Sequence, residues 1–241
     1  MALNPLSQFT IHEVYSTELF GQTIQFTNQA LSMLVAISGV IIIFVMGARK
    51  QEMVPGRLQS FVEFTYEFIH NTVKENAGNA GLKFLPLIMT LFLYIAGLNL
   101  FGLIPHTFTA TSQFALNGVM AFSVFGFVLL VGFWKHGLKF LKIFWPADTP
   151  FFLALFIAPL EMISFFARPF TLAIRLTANM LAGHILVKVF ASFIIMLGLA
   201  GIFPFAALMV ISCLELLVAL LQAYVFAVLT CVYLNDALHL H

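Results

Sequence analysis

The chain has 241 residues, of which 61% are hydrophobic and 9% charged, with a mean hydropathy of +1.02 and a formal net charge of +1. Soluble domains carry about 25% charged residues, so this composition excludes a soluble fold and fits a polytopic membrane protein. The near-neutral balance and the lack of a basic arm exclude a nucleic-acid partner.

Residues 1–28 contain neither Lys nor Arg and no apolar run. They read as a tail outside the membrane and not as a cleavable signal peptide, so the first span must act as the insertion signal. That span covers 29–48, with Asn28 as its cap and Arg49 and Lys50 directly after it. From Arg49 to Lys83 the chain is polar and mixed in charge. Phe61, Phe64, Phe68 and Ile69 recur there at helical spacing with Glu63, Glu67 and Lys74 between them, the pattern of an amphipathic helix at the membrane interface. Asn76, Gly78, Asn79 and Gly81 should end it.

A second span covers 84–104 and stops at Pro105, and an uncharged turn from His106 to Gln113 leads to a third span over 114–134. Lys135, Lys139 and Lys142 follow, with Trp145 and Pro146 at the expected membrane surface. The apolar segments 150–199 and 203–235, parted by Gly198, Gly201 and Pro204, each exceed the roughly 20 residues that cross a bilayer, so they must tilt, kink or lie partly along it. The expected architecture is a single integral domain over 1–241. It is all-α, with about five membrane segments plus an interfacial helix, the last two segments being long, tilted and antiparallel.

The basic residues cluster in two loops, Arg49 to Lys83 and Lys135 to Lys142. Both should face the cytoplasm or matrix, with the N-terminus outside and, after five crossings, the C-terminus inside. Cys213 and Cys231 fall on one apolar segment, too far apart to bond within the chain and without metal-ligand spacing. No internal repeat is visible, which weighs against an inverted-repeat transporter.

Charges concentrate where they are most costly. The stretch from Pro159 to His184 holds Glu161, Arg168, Arg175 and His184, with Lys188 one turn further on, and each charge at a bilayer centre costs about 2.5–3.5 kcal/mol on insertion scales. On a helical wheel with Glu161 at zero, Ser164 falls near 300°, Arg168 near 340°, Arg175 near 320° and Asn179 near 0°, about one narrow stripe. The stripe is continuous if Pro169 bends the helix without breaking it. His184 and Lys188 fall on about the opposite side.

The last segment has its own polar set, including Ser212, Glu215, Gln222, Thr230, Tyr233 and Asp236. If it folds back about the glycine-rich turn, four pairs have residue numbers that add to nearly the same total: His184 with Glu215, Arg175 with Gln222, Arg168 with Thr230, and Glu161 with Asp236. Chains of Glu, His and Asp inside a membrane are the usual material of proton relays. Blander readings stand beside this one. Arg168 could satisfy a carbonyl freed by Pro169, Lys188 could snorkel to the outer surface, and His184 and Glu215 could form only a buried pair. Asn99, His106 and Asn117 could line an aqueous path or simply satisfy turns. Arg175 is harder to dismiss, because no acid lies within one turn of it and Gln222 is the residue expected opposite. A permanent guanidinium without an internal counter-ion implies a counter-ion on another chain.

At these residues the sequence resembles subunit a of the F-type ATP synthase. The resemblance is carried by the run Thr171-Leu172-Ala173-Ile174-Arg175-Leu176-Thr177-Ala178-Asn179-Met180. Four further stretches support it: Pro55-Gly56-Arg57-Leu58-Gln59, Asn99-Leu100-Phe101-Gly102-Leu103-Ile104-Pro105, Glu161, and Glu215 with Gln222. It implies that the two long segments embrace a ring of c subunits, that Arg175 faces the ring carboxylates and separates two offset half-channels, and that peripheral-stalk b subunits and other synthase subunits are partners. It assigns His184, Glu215 and Gln222 to the outer half-channel, Glu161 and Ser164 to the inner one, and Asn179 to the same path. Asp236, Tyr233, Asn99, His106 and Arg168 are further candidates. Many bacterial members carry the acid and the His in reverse positions, an exchange that keeps the chemistry only if the two side chains meet.

No nucleotide-binding motif is present, so the chain is not expected to bind ATP, to act as an enzyme by itself, or to need a cofactor or metal. The rival readings are a stand-alone proton-coupled secondary transporter and an assembly anchor. The expected location is an energy-coupling membrane, bacterial inner or mitochondrial inner; the absence of a targeting segment favours the bacterial one.

Overall fold

The computed structural model describes residues 13–19, 22–49, 52–104, 107–137, 139–140 and 151–238. Half of the tail, together with Lys50, Pro105, His106, Lys142, Trp145 and Pro146, lies outside the described residues.

Strands β1 (Glu13–Leu19) and β2 (Gln22–Thr27) form an antiparallel hairpin that pairs Thr17 with Ile24 and Leu19 with Gln22. The expected plain tail therefore carries a small sheet. Its Val, Ile, Thr, Tyr and Phe content suits strands, and the stretch is too short and polar to read as a span.

After the hairpin the regular elements among the described residues are all helical, as the composition requires: a bilayer offers no water to the backbone, and a helix satisfies its own amides. Helix α1 is Asn28–Arg49, α2 Arg57–Gly81, α3 Leu85–Gly102, α4 Phe114–His136, α5 Phe151–Leu197 and α6 Ile202–Leu238. Short 3-10 turns cover Leu82–Phe84, Ala110–Ser112 and Gly198–Gly201. Among the described residues five stretches are long and apolar enough to cross a membrane: α1, the α2 and α3 stretch together, α4, α5 from Phe156, and α6.

Each expected span lies within a few residues of its helix. Helix α1 buries only Ser32, Ala36 and Gly47 and leaves Leu34, Ile41, Ile42 and Val45 exposed, the face a lipid-bathed helix shows. Helix α2 divides its apolar residues differently from the expectation. Phe61, Phe64 and Phe68 remain outward, whereas Ile69, Val73 and Ala77 pack against α3 and α6. It thus combines a core face with an aromatic outer face. It is interrupted at Gly78, whose φ of +63° only glycine adopts without strain, within the cluster expected to end it.

Helix α6 is the hub of the bundle, packing on α2, α3, α4 and α5. Near its C-terminus Ala227, Cys231 and Leu234 meet Ile69, Val73 and Ile88. Around its middle Ala223 and Phe226 meet Ile95, Ala121, Leu172 and Leu176. Lys135 donates to the Leu238 carbonyl at 2.8 Å, so the end of α4 meets the end of α6. The turn before α4 packs instead near the start of α1, through Ala110 with Ala36 and Leu98. The two groups mark opposite ends of the bundle.

Helix α5 has 47 residues and runs through Pro159 and Pro169 unbroken, and α6 has 37. At 1.5 Å per residue they are about 70 and 55 Å long, against about 30 Å of hydrocarbon, so both lie strongly tilted. Pro204 sits in the first turn of α6, where its missing amide costs nothing. Gly198 has φ +55° and reverses the chain between the two helices. Cys213 is exposed and Cys231 buried, both free.

Candidate functional site

One side of α5 is built from Phe165, Leu172, Ala173, Leu176 and Met180, all buried against the bundle. The other side, with Glu161, Ser164, Thr171, Ile174, Arg175 and Ala178, is exposed. The helical repeat places the polar stripe along the border of that open face. Among the described residues no carboxylate lies within 4.0 Å of Arg175.

Beyond Arg175, toward the turn that precedes α4, polar groups from four elements converge. The Nδ1 of His184 stands 3.8 Å from Glu215 Oε1, with the side chains only 12% and 8% exposed. On the ring's other side Nε2 lies 2.9 Å from Thr109 Oγ1. The Thr109 oxygen also lies 3.2 Å from the Gly102 carbonyl, so this hydroxyl bridges the imidazole and the end of α3. The two ring nitrogens thus face different groups, Nε2 a hydroxyl and Nδ1 a carboxylate. Gly183 makes room for the carboxylate: a Cβ there would stand 2.6 Å from Glu215 Oε1.

Between this pair and Arg175, Asn179 Nδ2 donates to Gln222 Oε1 at 3.1 Å. Asn99 Nδ2 donates to the Ala219 carbonyl at 3.0 Å, and Asn117 Nδ2 to Thr111 O and Thr177 Oγ1 at 2.6 and 2.8 Å. Several buried atoms here keep unspent hydrogen-bonding capacity: Asn99 Oδ1, Thr111 Oγ1, Asn117 Oδ1, Glu215 Oε1 and Gln222 Nε2. Buried polar groups in such numbers are normally bridged by water. Below Arg175, Arg168 Nη1 donates to Asp236 Oδ2 at 3.2 Å and lies against the Phe165 and Tyr233 rings.

The family described as ATP synthase A chain matches residues 30–235. The chain is 47% identical to ATP synthase subunit a of Rhodopseudomonas palustris strain BisB18 and to that of Afipia carboxidovorans, with 98% of each chain covered in both comparisons. It is 41% identical to the subunit a of Rhodospirillum rubrum, with 99% of each covered. This chain belongs to the ATP synthase subunit a family.

In this member of the subunit a family the expected meeting of His184 with Glu215 occurs, and the other three pairings do not. Gln222 bonds Asn179 and not Arg175, Asp236 takes Arg168 and not Glu161, and Thr230 turns its hydroxyl to the Phe226 carbonyl of its own helix. The offset grows with distance from the turn. Equal residue totals assume two straight, parallel axes, whereas α5 contains two prolines. Glu161 and Ser164 lie on the open face, His106 lies outside the described residues, and Tyr233 serves as a partner of Arg168. Sequence reasoning missed Thr109, Thr111, Thr177 and Gly183. Isolated threonines give no periodic signal, although a buried His needs a partner for its second nitrogen and that requirement could have directed attention to the nearby polar turn.

Proposed function

We propose that the chain is the proton-conducting stator of a rotary ATP synthase. Two offset half-channels serve a ring of c subunits, and Arg175 keeps them apart. The observation that carries this reading is Arg175 itself: an exposed guanidinium on an apolar open face, with no carboxylate partner among the described residues. A guanidinium so placed calls for a counter-ion on another subunit.

A proton from the outer side reaches the polar cluster bounded by Thr109, Asn117 and Asn99. It passes between Glu215 and His184 Nδ1 and continues past Gln222 and Asn179 to a ring carboxylate. The neutral carboxyl then enters lipid, which an ionised one could not do at acceptable cost. After nearly a full turn it meets Arg175, whose charge favours the ionised form and releases the proton toward Ser164 and Glu161 on the inner side. Each charge moved gains about 2.3 kcal/mol per 100 mV, so a leak past Arg175 would dissipate the gradient. Peripheral-stalk b subunits hold the stator in place, and the membrane is the bacterial inner membrane.

Replacing Arg175 with Ala should abolish ATP-driven acidification of membrane vesicles while the chain remains in the membrane. Normal pumping by that variant would sink the assignment.

A further inference from the structure

The stripe on α5 carries two guanidiniums, Arg168 and Arg175, seven residues apart. They are about 10 Å apart along the helix and within about 20° of each other on the wheel. Residues on either side of both, Ser164, Thr171 and Ala178, are exposed. By position alone each arginine could reach the open face. Their surroundings differ. Arg175 is exposed, and no carboxylate among the described residues is within 4.0 Å of it. Arg168 is held on three sides: Nη1 donates to Asp236 Oδ2 at 3.2 Å, and the guanidinium carbon lies 5.3 Å from the centre of the Tyr233 ring and 5.6 Å from that of Phe165.

The three holding groups come from two elements in a fixed arrangement. Phe165 is one turn before Arg168 on α5 and is buried against Phe125 of α4. Tyr233 and Asp236 are one turn apart near the end of α6, on the same face. A carboxylate fixes the charge and two ring faces fix the plane, a combination suited to a guanidinium and poorly suited to an ammonium.

We infer that Asp236, Tyr233 and Phe165 are positioning residues that hold and neutralise Arg168, whose side chain stays 34% exposed, leaving Arg175 as the guanidinium on α5 that an arriving carboxylate meets. The inference rests on the function proposed above. Two free arginines about 10 Å apart along the path would give a passing carboxylate two successive ion-pair sites. The first would retain it and delay or misdirect proton release at the second. Paired with Asp236, Arg168 presents no net charge to the ring.

The test is epistasis, measured as the initial rate of ATP-driven acidification in vesicles carrying the whole synthase. D236N frees Arg168 and should lose about tenfold more pumping than R168Q, which removes the competing charge. The double variant R168Q/D236N should recover to the level of R168Q. A clasp that merely ties α5 to α6 predicts the reverse: both single variants equally damaged and the double no better than D236N. That result would overturn the inference. R175A in the same series separates the two readings. If it pumps normally, the stator assignment fails. If it is silent while D236N and R168Q behave alike, the clamp alone fails. Should D236N be missing from membranes by immunoblot, the pair Phe165→Leu with Tyr233→Leu opens the aromatic sides and leaves the ion pair intact. Loss restored by adding R168Q sustains the clamp, and loss that R168Q does not restore overturns it.

Discussion

His184 has two ring nitrogens, and the fold commits them differently: Nε2 to a threonine hydroxyl at 2.9 Å and Nδ1 toward a carboxylate at 3.8 Å. Gly183 sets the room for that carboxylate. A Cβ at Gly183 would come within 2.6 Å of Oε1, 2.9 Å of Cδ and 3.1 Å of Cγ of Glu215. Gly183→Ala should therefore displace the carboxylate from His184 at about 1–3 kcal/mol, the usual cost of overpacking. Pumping should fall several-fold with the chain still present in membranes; an unchanged rate would mean that Glu215 need not stand where it does. Exchange of the partners tests the contact directly. The double variant His184→Glu with Glu215→His should retain more activity than either single change, whereas simple additivity of the two losses would argue against a working pair. The sequence made this pair legible because both residues are titratable and lie near the turn, where the register has little distance over which to drift. Thr109 was not legible, since a hydroxyl in an uncharged turn carries no periodic or electrostatic signal.

Among the elements, the helices that cross the bilayer were readable from runs of apolar residues, and their ends from Arg49, Pro105 and the lysines after 134. Lipid-facing helices leave such a clear record because nearly every position must be apolar. The two long helices were readable in length but not in register. Pairs at the far end from the turn, Arg168 with Asp236 above all, sit more than a turn away from where straight, parallel axes would put them. The hairpin Glu13 to Thr27 was hidden by its short strands, and α2 by its double role as lipid-facing aromatic surface and core face. The register of the whole α5 and α6 pair depends on the turn between them, where Gly198 holds φ +55° with open space around it. A side chain at this position meets no neighbour, so the penalty is conformational only. Gly198→Val should cost about 1–2 kcal/mol, and Gly198→Asn less, because asparagine tolerates the left-handed region. Thermal inactivation of ATP-driven pumping should order the three chains Gly, Asn, Val. Equal stability of all three would show that the turn does not set the register.

For the molecule as a whole, the bundle is one-sided. Helices α2, α3 and α4 cover one side of the α5 and α6 pair, and Ile163, Ile174, Leu214 and Leu217 stay exposed, as does Arg175. A surface of this kind is apolar enough for lipid, but lipid gives Arg175 no counter-charge, so a proteinaceous partner with a carboxylate fits better. The facing residues can be read from the fold more sharply than from the wheel. Leu172 and Leu176 flank Arg175 in sequence yet are 3% and 0% exposed, locked into the core with Ala223 and Phe226. Thr171, Ile174 and Ala178 are the exposed ones. With the exposed Cys213 first replaced by Ser, cysteines at Thr171, Ile174 and Ala178 should crosslink in native membranes to cysteines along the outer helix of the ring subunit. Cysteines at Leu172 and Leu176 should not. Because the three productive positions fall three and four residues apart, they define one helical line, and ATP-driven rotation should spread their crosslinks over every copy of the ring subunit. Crosslinks from the Leu172 and Leu176 positions instead would mean that α5 is rotated in the assembled synthase. Crosslinks from none of the five would remove the ring from this face and leave Arg175 without the partner its exposure demands.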